Sequence, residues 1–202
     1  MKDADRDPGP LGDAARHLPL ETLESALAAL TPPRDRGSVE LIVSRGVHER
    51  RATPERTVLS PAEGVPGDAW KRKLPQKPGT QISLMRADLA RLFANGQPIS
   101  LAGDNLLVEL DLSVANLPTG SRLRVGRALL EVTPEPHNGC ARFRQRFGDA
   151  ALRLTAAPRY RDDRLRGIYA RVMEPGEVAV GDGIEVLLRG TAAEVSPVPT
   201  TI

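Results

Sequence analysis

The chain has 202 residues, 40% hydrophobic and 27% charged, with a formal net charge of +2; this gives room for one folded domain with appendages and excludes a disordered polyelectrolyte. Aromatic residues make up only 3%, too few rings for a base-stacking platform, so nucleic acid is not an expected partner. A single cysteine rules out an internal disulfide and a Cys-x-x-Cys zinc site, and fits a reducing compartment.

Residues 1–17 are rich in Asp, Arg, Gly and Pro without periodicity and read as a loose tail. They lack the apolar core of a signal peptide, and no later stretch is long and apolar enough to span a membrane. A cytoplasmic protein with no membrane partner is expected. Leu20, Leu23, Leu27 and Leu30 then recur at helical spacing, Glu21 and Glu24 stand in the first turn, and Pro32-Pro33 ends the run. This predicts an amphipathic helix over 19–30 whose leucine stripe docks on the domain or on a partner subunit.

From Ser38 the pattern turns to strands. SVELIVSR alternates, RTVLSP follows, and residues 61–79 form a long Pro/Gly-rich loop. SLMRADLARLF predicts a helix beginning near Ser83, with Met85, Leu89, Leu92 and Phe93 on one face and Asn95-Gly96 as its stop. LLVEL, RLRV, ALLEVT, GIYARVM, GEVAV and IEVLLR are short strands with turn signals between them. The expected fold is mainly β, a barrel or sandwich with a few short helices packed at its ends. The domain is expected over 37–190, with residues 1–36 and 191–202 as appendages.

The segment EPHNGCARFRQRFG, residues 135–148, holds the only cysteine, Cys140. A lone cysteine is usually a small buried hydrophobe, but this one sits among charges. Cys140, Phe143 and Phe147 fit a two-turn helix with Asn138 as N-cap and Gly148 as stop, a setting whose amides and arginines favour the thiolate. As a strand, the segment would instead place Cys140, Arg142, Arg144 and Arg146 on one face. Residues 141–171 contain nine arginines and three acids, a local charge of +6 that suits either an anion or a solvated basic surface. Of the three histidines, His17 and His48 read as surface residues. His137, three positions before the cysteine, either serves the thiolate as acid/base or faces water.

These pieces resemble the MOSC domain, the module named after the C-terminal part of molybdenum cofactor sulfurase. The matching runs are GVPGDAW (64–70), GDNLLVELD (103–111), LPTGSRLRVGRALLEVT (117–133), PHNGCARFRQRFG (136–148) and RLRGIYARVMEPGEVAVGDGIEV (164–186). The resemblance implies a barrel-like MOSC fold in which Cys140 ligates molybdenum in a molybdopterin cofactor or carries sulfur. His137 joins it as a catalytic candidate, and Arg142, Arg144, Arg166, Asn105 and Asn138 are candidates to hold the cofactor; the two asparagines either bind its edges or cap and turn the chain. Pyridoxal phosphate enters by family association only, through sulfurases that pair this module with a cysteine desulfurase. A desulfurase or a redox protein is therefore the expected partner, as a separate species.

Stand-alone reductase-like members carry a His-Gly-Gly element where this chain reads PQKPGTQ, and Asp104 stands where Glu is usual. Three functions follow: molybdenum-cofactor binding or sulfur carriage through Cys140, molybdenum-dependent reduction of N-hydroxylated compounds, or a non-enzymatic barrel that binds an anionic ligand or partner. Oligomeric state is not legible.

Overall fold

A computed structural model describes residues 10–47 and 50–191. His48 and most of the expected C-terminal tail lie outside the described residues.

Seven strands close into a barrel in the order β1 (Arg36–Ile42), β11 (Gly183–Leu188), β7 (Arg122–Val125), β8 (Ala128–Val132), β9 (Ile168–Glu174), β5 (Ile82–Arg86) and β6 (Leu106–Glu109), the last pairing back to β1. Of the two architectures expected, the barrel is the one formed. Its ladders are antiparallel except β5–β6, where Leu84 faces Leu106 in parallel register. A parallel pair needs a crossover, and the chain supplies it with helix α3 (Ala87–Ala94) and a 3-10 turn at Ile99–Ala102. Outside the barrel, β2 (Ser44–Arg45) pairs with β3 (Arg51–Ala52), and β4 (Arg56–Leu59) with β10 (Gly176–Ala179). The long loop after β4 includes helix α2 (Ala69–Arg72) and a 3-10 turn at Pro78–Thr80.

Two cores result. Val39, Leu84, Leu106, Val108, Leu123, Leu130 and Ile184 fill the barrel interior. The second lies between the barrel wall and helices α1 (Leu20–Ala28), α3 and α4 (Ala141–Ala156), where Leu23, Met85, Leu89, Phe93, Phe143, Phe147 and Leu154 meet. Strand β5 is buried along its whole length because Ile82 and Leu84 point into the barrel while Met85 points into the helical core. All three phenylalanines of the chain converge there, with centroids 5.0–6.3 Å apart. Burying each contributes about 1.5–3 kcal/mol. Among the described residues no helix is long and apolar enough to cross a membrane.

Four local expectations are corrected. The helix expected from Ser83 begins at Ala87, because residues 82–86 complete the barrel ladder between β6 and β9. Asn138 is not the N-cap of α4; Cys140 occupies that position, without a side-chain cap bond. Gly148 breaks the helix but does not end it: at φ +89 it kinks the run, which resumes to Ala156. His17 is not a surface residue of a loose tail, since its imidazole packs against that kink, and Arg146 reaches back from α4 to the Pro10 carbonyl at 3.1 Å.

Candidate functional site

Two polar pairs are buried where β2, the start of β6 and the start of β9 converge. In the first, Arg45 grips Asp68 through Nε–Oδ2 at 2.9 Å and Nη2–Oδ1 at 2.7 Å, while the Arg45 amide donates to Oδ2 at 2.8 Å. Asp68 also caps α2 by accepting from the Trp70 amide at 2.9 Å. Burial opposes charge on the Asp68 carboxyl, but the hydrogen bonds and charge of Arg45 outweigh it and hold the group below the usual carboxylate range. Asn105 ties this pair to the barrel. Its Oδ1 accepts from the Ser83 amide, the Ser83 hydroxyl and Arg45, and its Nδ2 donates to the Val43 carbonyl.

In the second pair Arg166 donates to Asp104 Oδ2 at 2.7 Å, with its guanidinium 5.0 Å from the Phe143 ring centroid. His137 sets Nε2 3.4 Å from Asp104 Oδ1 and stacks on Tyr169, centroids 4.3 Å apart. Burial, and then the charge of Arg166, push the imidazole down to about 3 against the opposing pull of Asp104. His137 is thus neutral at physiological pH. The adjacent carboxylate assigns its proton to Nε2, because the other tautomer would turn a lone pair toward Asp104. Burial and the Asp104 carboxylate push the Tyr169 phenol above its ordinary value; Arg166 and Arg45 oppose them, and Cys140 is near enough to add to the rise.

Beside these pairs opens a cleft of about 390 Å³, walled on one side by residues 133–139 and on the other by residues 155–157 and 160–168. His137, Asn138, Arg161, Arg164 and Arg166 are among its lining residues, with Glu135 and Asp162 as its acids. Arg164 takes a left-handed backbone, φ +49, and anchors to the Leu117 carbonyl at 2.6 Å. Cys140 follows the lining segment directly and is exposed. Two buried atoms of cleft-lining side chains, His137 Nδ1 and Arg166 Nε, lack a hydrogen-bond partner, and Asp104 Oδ1 behind them has only the His137 Nε2 contact at 3.4 Å. Leaving such groups unmet costs about 1–3 kcal/mol each, so His137 Nδ1 and Arg166 Nε are the atoms of this wall placed to bond a molecule entering the cleft.

The structure brings His137, Asn138 and Arg166 together in the lining of one cleft; Cys140 is exposed and is the next residue after the lining segment, without being part of the lining itself. Asn105 is corrected: fully buried with its bonds made inside the protein, it fastens the site and offers no edge to a ligand. Arg142 and Arg144 lie on α4 away from the cleft lining, and Arg144 sits 3.8 Å from Asp149. The arginine-rich window is no single basic face. Arg146 turns inward to Pro10, Arg159 pairs with Glu24 of α1, and Arg171 pairs with Glu131 at 2.6 Å. Sequence reasoning missed Arg45, Asp68, Tyr169, Arg161 and Arg164 as site components. Asp68 stood inside the quoted GVPGDAW turn, but nothing local pairs it with an arginine 23 positions earlier.

Among the described residues no group of three or more His, Cys, Asp or Glu is arranged to hold a metal ion.

The MOSC domain model matches residues 67–185, more than half of the chain, and the chain belongs to that family. The family is associated in general with the molybdenum cofactor. No curated protein matches the sequence. Among solved structures the fold is similar to YuaD from Bacillus subtilis, at 21% identity and TM-score 0.51 over 77% of this chain and 98% of that one. It is also similar to YiiM from Escherichia coli, at 20% identity and TM-score 0.50 over 76% and 71%, and to YiiM from Geobacillus stearothermophilus, at 17% identity and TM-score 0.52 over 78% of each chain. At these identities the likeness is one of fold.

Proposed function

We propose that the cleft holds a molybdenum-pterin cofactor and that Cys140 is the protein's sulfur ligand to the metal. The observation that carries this reading is the placement of the chain's only cysteine, exposed, at the end of a cleft-lining segment of a MOSC domain. The residues present fit such a group: Arg161, Arg164 and Arg166 offer planar donors to its phosphate, and the unmet His137 Nδ1 and Arg166 Nε offer polar partners in the lining. When bound, the cofactor supplies two-electron redox chemistry. Neutral His137 serves as a hydrogen-bond acceptor through Nδ1; it does not act as an imidazolium acid. Arg166, paired with Asp104, presents its guanidinium in the cleft lining as a partner for anionic groups.

Pyridoxal phosphate does not fit. No lysine lines the cleft to form the Schiff base that this cofactor uses, so that chemistry belongs to a separate desulfurase. A second reading, sulfur carriage, is favoured by the exposure of Cys140, since a carrier thiol must reach a donor protein. Elemental analysis for molybdenum, run beside a persulfide-selective label, separates the two. Bound metal lost in Cys140→Ser supports the cofactor reading, a labile persulfide without metal supports carriage, and neither signal refutes both.

A further inference from the structure

We infer that His137 is the positioning residue of the cysteine segment: its ring, seated between Tyr169 and Asp104, sets together with α4 where Cys140 stands beside the cleft. The segment from Pro134 to Gly139 is held unusually weakly. Among the described residues, none of its main-chain groups makes a main-chain hydrogen bond; the last before it is from the Thr133 amide to the Tyr169 carbonyl, and the next is from the Arg144 amide to the Cys140 carbonyl. Pro134, Glu135, Pro136 and Asn138 are exposed. The exposed Glu135 side chain lies over Gly79, and two further points of the segment reach inward.

Gly139 rests against α4, where a Cβ would meet Leu152 at 2.5 Å. That contact is made by backbone alone and supplies no side chain to fix register. His137 is the one side chain of the segment that enters the body of the protein, and it is 7% exposed. It packs on the Tyr169 ring at a 4.3 Å centroid distance, tilted by 37°, and meets the Asp104 carboxylate at 3.4 Å, the latter held in turn by Arg166. Tyr169 and Asp104 are rigid partners, one on β9 and the other entering β6, so the imidazole references the cysteine segment to the barrel wall. Two residues, Asn138 and Gly139, separate this anchor from Cys140. Cys140 is thus held on its C-terminal side by α4, whose Arg144 amide donates to its carbonyl, while the segment leading to it is fixed by one inserted ring and keeps its place only while that ring stays seated.

This inference deepens the reading in which Cys140 is the reacting sulfur, but its test needs no cofactor. The chain has one tryptophan and one cysteine, so energy transfer from Trp70 to a thiol-linked acceptor on Cys140 reports the position of the sulfur directly. Trp70 is a fixed reference, buried and hydrogen-bonded to the Lys77 carbonyl at 2.9 Å. Time-resolved measurement on the wild type should give a narrow distance distribution. His137→Ala should widen it by about twofold and shift its mean, the scale on which an unpinned loop exceeds packed backbone, with unfolding still a single transition. His137→Phe keeps the stack on Tyr169 and should restore the narrow distribution. An unchanged width in His137→Ala overturns the inference, as does a Phe variant as broad as the Ala variant. Loss of cooperative unfolding in both variants would make His137 a general structural residue and overturn it too. A protein that fails to bind molybdenum yet shows the expected widths would sink the cofactor reading and leave the anchor standing.

Discussion

The neutral state of His137 makes the stability of the whole domain sensitive to mild acid. In the folded protein the imidazole is pushed from 6.5 to about 3, whereas the unfolded chain titrates near the ordinary value. Between these limits the unfolded state binds the extra proton, so stability rises with pH; it is fully present above about 6.5 and is lost as pH falls toward 3. At about 1.36 kcal/mol per pH unit, this single residue removes about 2 kcal/mol by pH 5 and about 4–5 kcal/mol by pH 3. The figure applies without a solvent discount because the side chain is only 7% exposed. His137→Phe, which keeps the ring and removes the titration, should flatten that part of the profile. Urea unfolding of both proteins at intervals from pH 7.5 to 4 checks it, the difference in free energy at each pH being the quantity of interest. Parallel profiles for the two proteins would refute the buried, neutral imidazole.

Asp68→Ala should destabilise the protein by about 3–5 kcal/mol, because it strands the Arg45 charge and removes the α2 cap; Arg45→Met/Asp68→Leu should recover most of the loss, as measured by denaturant unfolding. Since Arg45 holds the Asp68 carboxyl below its usual range, that stability is present above the ordinary carboxylate pKa and fades as pH falls through the folded value, a dependence that Asp68→Ala should abolish. Gly148→Ala places a Cβ 2.9 Å from the His17 ring at a φ of +89. It should cost about 2–3 kcal/mol by thermal denaturation.

Much of the barrel was legible because its strands are short, β-branched and separated by turn residues, as in the RLRV and ALLEVT pair that became β7 and β8. The misplaced helix at Ser83 has a physical origin. Met85 on the outer face of β5 and Leu89 and Phe93 on α3 bury into one core, so a strand and the helix after it present a single helical period. The cysteine segment was recognisable from its types and order, and the structure seats His137 and Arg166 beside it. The remainder was hidden because it depends on long-range pairing. Arg45 meets Asp68 and Arg166 meets Asp104 only after closure of the barrel, and the nine clustered arginines diverge because alternate positions on a kinked helix and a strand face different neighbours.

The account depends most on Cys140 being the sulfur that holds metal at the cleft. Molybdenum content of the purified protein and of Cys140→Ser, each measured by elemental analysis after exposure to the pterin cofactor, tests this directly. The account predicts near-stoichiometric molybdenum in the wild type and background in the serine variant, with matched thermal unfolding. Equal metal in the two proteins, or none in either, would contradict it.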